Sequence, residues 1–445
     1  MKRRIMWLSV LAGLFLAPAA LTAQQQPGLA AKGQPLTLQQ CIDFALANQP
    51  QVRQARIDET IGERQINAQL SGWMPQVFAQ YSYNHFLKRQ VIAFGEEVQR
   101  IGKENTSNIL FQANQTLYSN DLLLASRAAR YTRVALDQNL VDVKISTVVE
   151  VSKSYYDILL TQEQLRILDE NIARQQKQYN DALARYETGL VDKTDYQRAS
   201  ISVNNSKADR KRTQEAIVAK LARLKQLMGV APETNMQLAN DSATIAQQEV
   251  LLDTTQALNV QNRIEYQQLQ TQQQLLGLST RYYRWGFLPT VDGFINYNFN
   301  YLNDELSQLY NQSFPTSVVG LQANIPIFQG TRRLQNLKIA QLQEERLGVE
   351  LENARNQIST EYTTALSNYK SDYNEWLTLR QNAQVAREVY DIIKLQYDEG
   401  IKAYVDLVVA ETDLKTAQLN YYNALFRVLS SKLDVERALG NIGVQ

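Results

Sequence analysis

Cys41 and His85 are the only cysteine and the only histidine in the 445 residues of this chain. A single thiol excludes a disulfide framework within the chain, and one thiol with one imidazole excludes the usual Cys/His zinc sites. Most metal and nucleophile chemistry goes with them. The carboxylates are spread along helical stretches as charges of solvated faces, so neither an enzyme nor a bound cofactor is expected. Two of them are nevertheless set apart by their spacing. Asp195 and Asp406 recur at an interval of 211 residues, each a few positions beyond a glycine turn and near the start of a helical run. A carboxylate there favours the helix dipole by about 0.3–1 kcal/mol whatever else it does. With 46 basic and 45 acidic residues the formal charge is +1, so no long-range field draws the chain to nucleic acid or to an anionic membrane surface.

The same interval relates the two turns themselves. Tyr186-Glu187-Thr188-Gly189-Leu190 is answered by Tyr397-Asp398-Glu399-Gly400-Ile401, and Tyr186, Asp195, Ala199 and Gly229 fall on Tyr397, Asp406, Ala410 and Gly440. One register held over a turn, a helix and its end implies an internal tandem duplication, with two halves interleaved in one pseudo-symmetric unit. Gly189 and Gly400 each lie between two strongly helical stretches, where a left-handed cap needs a residue without a Cβ. Both are read as tips of helical hairpins.

At the N-terminus, Lys2, Arg3 and Arg4 precede the apolar run Ile5 to Leu16 and then Leu21-Thr22-Ala23. This is the pattern of a signal peptide over residues 1–23; Pro18 interrupts the run, which is short for a bilayer span. The first repeat is expected at 24–229, with a β-hairpin at 75–118 and a tip at 187–192. A connector follows at 230–250, with Pro232, Asn235, Asn240 and Asp241 and little regular structure. The second repeat is expected at 251–445, with a β-hairpin at 289–328 and a tip at 398–403. Thr37 caps a first helix carrying Leu38, Cys41, Ile42, Ala45 and Leu46 on one face, and its counterpart is expected at Asp253 to Asn262. Cys41 is read there as a small packing residue. A second helical run, Gln51 to Leu70, ends at Gly72-Trp73-Met74-Pro75, as its partner ends at Gly286-Phe287-Leu288-Pro289.

Beyond each proline the period changes from helical to alternating. Val77, Ala79, Tyr81, Tyr83, His85 and Leu87 share one parity, and Val291, Gly293, Ile295, Tyr297, Phe299 and Tyr301 share the same parity in the second half. A further strand follows in each half, with Ile109, Phe111, Ala113 and Leu117 answering Val319, Leu321, Ala323 and Ile327. Four strands of about 10 residues are long enough to cross a bilayer when tilted. An ordinary soluble sheet with one wet face has the same alternation, but no other element is left to cover these apolar faces. Four strands cannot close a membrane barrel, whereas three chains would supply about 12. His85 falls at a strand end, as a headgroup-level residue rather than a ligand.

No proline occurs from Asp121 to Glu187 or from Arg332 to Glu399, so each stretch runs as one helix of ~100 Å. The returning helix has a heptad of small residues, Ala403, Ala410, Ala417, Ala424, Ser431 and Ala438, interleaved with Leu407, Leu414, Tyr421, Val428 and Val435. Such a repeat marks a closely packed, supercoiled partner surface. A plain coiled coil would account for the helices and leave the strands unexplained.

Taken together, Leu36-Thr37-Leu38, Leu288-Pro289, Pro326-Ile327-Phe328-Gln329-Gly330 and the two tips resemble the TolC-type outer-membrane efflux family, over essentially the whole mature chain. The resemblance implies an α+β membrane protein of the bacterial outer membrane: a homotrimer whose shared 12-stranded β-barrel, four strands from each chain, is set in outer-membrane lipid and continues as a periplasmic α-helical barrel. It implies the exit duct of a tripartite efflux pump or type I secretion system, a passive channel gated at its periplasmic tips. Its partners would be a periplasmic adaptor and, through it, an inner-membrane transporter. The family's Val-Gly-Leu tip motif stands here as Thr188-Gly189-Leu190 and Glu399-Gly400-Ile401, departing at the first position of both and the third of the second. By the same resemblance Lys402 falls on the family's latch Arg, Tyr397 on its Tyr partner and Asp195 on the acceptor of the neighbouring hairpin. Asp406 falls on the first constriction carboxylate, and Val409 occupies the place of the second. A Lys cannot make the bidentate fork of an Arg, so a looser latch is expected.

Overall fold

The computed structural model describes residues 35–95, 97–189, 192–239 and 250–444. The leader expected at 1–23, Leu190 of the first tip and residues 240–249 of the connector lie outside the described residues. Helix α1 (Leu38–Asn48) starts on a reciprocal cap, with the Gln40 amide donating to Thr37 Oγ1 (3.4 Å) and the Thr37 amide donating to Gln40 Oε1 (3.0 Å). Pro50, which has no amide hydrogen to lose, opens α2 (Pro50–Leu70). Leu36 pairs with the connector, its amide donating to the Gln237 carbonyl and its own carbonyl accepting from Ala239, both at 2.9 Å.

The counterpart of α1 is a correction. Asp253 to Asn262 forms a turn and a single 3-10 turn at Val260–Asn262 rather than an α-helix. Asp253 Oδ1 accepts from both the amide (2.9 Å) and the hydroxyl (2.6 Å) of Thr255, and Asn259 Oδ1 accepts from the Gln261 amide (3.1 Å). Short polar side chains have taken the backbone donors that a helix would need. The true helical partner of α2 is α5 (Ile264–Arg284), 21 residues like α2 itself.

Strands β1 (Gln76–His85), β4 (Asn105–Tyr118), β5 (Thr290–Asn303) and β6 (Ser313–Asn324) form one antiparallel sheet in the order β1-β4-β5-β6. A small separate hairpin, β2 (Val91–Phe94) and β3 (Glu97–Arg100), is inserted between β1 and β4. The register aligns Val77, Ala113, Ile295 and Val319 in one row across the sheet. That row is apolar and open: Val77, Ile295 and Val319 are 72%, 58% and 78% exposed. The opposite face carries amides, with Asn108 Nδ2 donating to Asn300 Oδ1 (2.9 Å) and the Thr116 hydroxyl to Asp292 Oδ1 (2.8 Å). Ile327, expected in the last strand, lies beyond it, because β6 ends at Asn324 and Pro326 has no donor to extend the ladder. Leu87 likewise lies past the end of β1, and His85 closes that strand with Nδ1 2.8 Å from Asn105 Oδ1.

Each half then sends out one very long helix and a shorter return. Helix α3 (Asn120–Glu187, 68 residues) is followed by α4 (Lys193–Met228), and α6 (Arg332–Asp398, 67 residues) by α7 (Tyr404–Leu439). Ser119 Oγ caps α3, accepting from the Leu122 amide at 3.4 Å, whereas Thr331 caps α6 with no side-chain bond; the two sheet-to-helix exits differ, as their sequences do. Both return helices end on a glycine at positive φ, Gly229 at 70° and Gly440 at 73°. A Cβ on Gly229 would lie 2.5 Å from the Asn48 carbonyl oxygen, and one on Gly440 2.6 Å from that of Asn262. The ends of the return helices therefore fit against matching sites in the two halves, and only glycine fits there.

The main core lies midway along the helices, where α1, α3, α4, α6 and α7 bury Cys41, Tyr155, Leu159, Met228, Leu425 and Leu429. Burial pushes the Cys41 thiol up to about 12, so it packs as a small apolar group and is not a nucleophile at neutral pH. On α7 the heptad faces inward: Leu407, Ala410, Leu414, Ala424, Val428, Ser431, Val435 and Ala438 are all buried. Among the described residues no helix is long and apolar enough to cross a membrane.

Candidate functional site

The two hairpin ends are built alike. Gly189 and Gly400 both stand at φ 76°, and their amides donate to the Tyr186 and Tyr397 carbonyls at 2.9 and 3.0 Å. At the second tip the Ile401 amide also reaches back to the Gln396 carbonyl (2.8 Å), completing a Schellman turn. Thr188 closes α3 by donating its hydroxyl to the Ala184 carbonyl (3.1 Å). Glu399 occupies the matching position at the end of α6. Ile401 is 73% exposed, and Val405 and Val409 continue the same exposed apolar face one and two turns along α7.

Behind the tips, Asp195 lies within electrostatic reach of Tyr397, but the residues that the sequence reading groups as a latch have no bond between them. Among the described residues no hydrogen bond or ion pair joins Lys402 or Tyr397 to Asp195 within the chain, and Lys402 is exposed. Tyr397 is instead covered by a residue that the sequence reading missed, Arg185 of α3, whose guanidinium carbon sits 5.2 Å from the ring centre. Burial raises the Tyr397 phenol, Arg185 opposes the rise, and the carboxylate of Asp195 adds to it. Asp406 sits on the first turn of α7 and accepts from the Ala403 amide at 3.3 Å, so one oxygen serves the helix start.

A second cluster, also missed, lies farther from the tips where the two hairpins are tied together. Glu411 on α7 is only 2% exposed. Its Oε1 accepts from Arg174 Nε (3.2 Å) and Asn171 Nδ2 (3.1 Å), both on α3. Asn171 Oδ1 in turn accepts from the Ser206 hydroxyl of α4 at 3.1 Å. The Arg174 guanidinium lies 5.6 Å from the ring centre of Tyr390 on α6, so all four long helices meet at one ion pair. Burial raises the Glu411 carboxyl above the usual range while Arg174 pulls it down. Arg174 Nη2 and Tyr390 Oη are buried with no hydrogen-bond partner, which makes the cluster polar, enclosed and only partly satisfied. Its one trace in the sequence is an acidic residue next to Ala410, inside the packed row of the heptad.

The arrangement is that of a known group of channels. The chain is 22% identical over 436 residues to the outer membrane protein TolC of Salmonella enteritidis, covering 94% of this chain and 84% of that one. It is 21% identical to the proteases secretion protein PrtF of Dickeya chrysanthemi, covering 91% and 88%. Among solved structures, CusC, described in terms of folding and transmembrane channel formation, superposes with a TM-score of 0.75 at 19% identity, over 90% of this chain and 91% of that one. The profile of outer membrane efflux proteins matches residues 41–230 and 261–441, which leaves out the leader and the connector and includes both hairpins and both strand pairs. This α+β chain, mostly helical, is a protein of the bacterial outer membrane and belongs to the outer membrane efflux protein family.

Proposed function

We propose that three copies of this chain close a 12-stranded barrel through the outer membrane and extend it as a helical tube across the periplasm. In this form the protein is the passive exit duct of an efflux or secretion machine. The observation that carries the reading is the sheet. Its two edges, β1 and β6, are open within the chain, and one face offers rows of exposed Val, Ile, Leu and aromatic side chains. Unpaired edges and an uncovered apolar face are both costly in water, and both are relieved when copies join edge to edge in lipid. The amide-lined face then borders the lumen. The interval of 211 residues, the paired tips and the matching seats of Gly229 and Gly440 support an origin by tandem duplication.

In this reading a periplasmic adaptor meets the tips end-on, at Thr188, Gly189 and Leu190 and at Glu399, Gly400 and Ile401, and an inner-membrane transporter acts through it. Replacing Leu190 and Ile401 together with Asp is expected to abolish export while the assembled protein in the membrane stays at its normal level. Export that survives the change would reduce the tips to turns.

The periplasmic end is the gate. Asp195, Tyr397 and Lys402 hold neighbouring hairpins together, and three copies of Asp406 ring the axis. Their mutual repulsion favours cations and offers a multivalent cation a seat that plugs the tube. Single-channel recording of Asp406→Ala in planar bilayers is expected to show weaker cation selectivity and weaker block by multivalent cations. Unchanged values would leave Asp406 as a helix-start residue, the role that its bond to the Ala403 amide already gives it.

A further inference from the structure

Where the sheet gives way to the helices, β4 passes into α3 and α5 passes into β5, and a cleft of 350 Å³ opens between them. Tyr118, Leu123, Trp285 and Leu288 form its apolar and aromatic walls, and Arg127 and Arg281 also line it. A β-bulge between Thr116 and Tyr118 shifts the register and sets Tyr118 opposite Val291, so the cleft lies on the apolar side of the sheet, next to exposed Leu117. β4 and β5 are the two central strands, so copies joined at the β1 and β6 edges leave this position uncovered. Its base is already satisfied from within. Asn120 Nδ2 donates to the Tyr282 carbonyl (3.1 Å), and Asp121, the acidic residue of the same turn, is engaged by the Tyr282 hydroxyl. The two arginines are not: neither makes an ion pair or a side-chain hydrogen bond among the described residues.

We propose that this cleft holds the phosphodiester headgroup of a phospholipid from the periplasmic leaflet of the outer membrane. Arg127 and Arg281 pair with the phosphate oxygens, Tyr118 and Trp285 lie at the level of the glycerol, and the acyl chains run up over Leu117 and the apolar face of the sheet. Charge selects the phosphate, because a planar guanidinium matches its oxygens. Location selects the lipid, because aromatic residues gather where a protein leaves the bilayer and the cleft continues into the face that meets hydrocarbon. The first turn of α3 adds its dipole to the same spot. This inference rests on the duct reading, which puts that face in lipid.

Trp285 is half exposed and supplies the probe. The mature protein is reconstituted into vesicles of phosphate-free galactosyl diacylglycerols doped with brominated phosphatidylglycerol, with flotation confirming insertion and Trp285→Phe isolating the signal of this residue. Arg127→Gln/Arg281→Gln is expected to float like the wild type yet weaken quenching of Trp285 by roughly ten-fold or more in apparent affinity. Phosphate-free brominated diacylglycerol glucoside is expected to quench the two proteins alike and weakly. Equal quenching of the wild type and the double variant by the brominated phospholipid would overturn the proposal. Relief of quenching by inorganic phosphate, beyond that of chloride at equal ionic strength, would overturn it in favour of a free-anion site. A wild-type protein that fails to float would instead sink the duct reading and this inference with it.

Discussion

Arg174→Ala is expected to destabilise the helical region by about 3–5 kcal/mol near neutral pH, because it leaves the carboxylate of Glu411 buried without its ion-pair partner, with Lys415 acting only from a distance. The pH dependence identifies the cause. Burial already holds the Glu411 carboxyl above its ordinary value, with Arg174 as the main opposing influence. In the folded protein the proton is therefore bound more tightly than in the unfolded chain, and stability rises as pH falls through the folded value towards the unfolded one. Removing Arg174 removes the opposing influence and moves the folded value further up. Thermal unfolding of the detergent-solubilised assembly should show the largest deficit at ~pH 8 and a much smaller one at ~pH 5. Adding Glu411→Gln to the variant should restore most of the loss at the higher pH. A deficit that does not change with pH would mean that Arg174 contributes packing alone.

The second large effect concerns two adjacent valines of β6. Val319→Arg is expected to remove assembled protein from the outer membrane, since a cation on the lipid side near the bilayer midplane costs about 2–4 kcal/mol in each chain. Val318→Arg is expected to leave assembly close to normal. Val318 is registered against Asn296, on the amide face, and Val319 against Ile295, on the apolar one. The same substitution one residue apart thus separates the two sides of the sheet. The check is the amount of assembled species in membrane fractions on gels run without boiling, and equal loss in both variants would contradict the assignment of faces.

What the sequence made legible is what repeats. Alternation over ten or more residues gave the four long strands and their common parity, freedom from proline gave α3 and α6, and the heptad gave the buried side of α7. Isolated features stayed hidden. The β2–β3 hairpin has strands of four residues each, too short for a period of two to stand out from chance. The stretch from Asp253 to Asn262 carries apolar residues at helical spacing, yet Asp253 and Asn259 bind nearby amides, and local hydrogen bonds outweighed the pattern. Arg174 and Glu411 lie more than 230 residues apart and meet only because α3 and α7 pack side by side. Neither has a counterpart at the repeat interval: Ser200 stands where the first half would need Glu411. The residues grouped around the tips were placed by resemblance. The structure brings Asp195 near Tyr397 and supplies Arg185, which no spacing rule indicates.

The uneven burial along the long helices has a thermodynamic consequence. The large core lies near their middle, whereas the buried cluster nearest the second tip, among the described residues, is the small one of Tyr390, Leu407, Ala410 and Leu414. The free energy that resists local opening therefore declines from the middle of each hairpin towards its end, even though the backbone helix is continuous. Glu411, Arg174 and Asn171 stand at that gradient. Below them a hairpin can separate from its neighbour at small cost; above them separation would have to open the main core. A tube built this way is compliant at its mouth and stiff along its wall, so the work done by a partner pulling on the tips stays local.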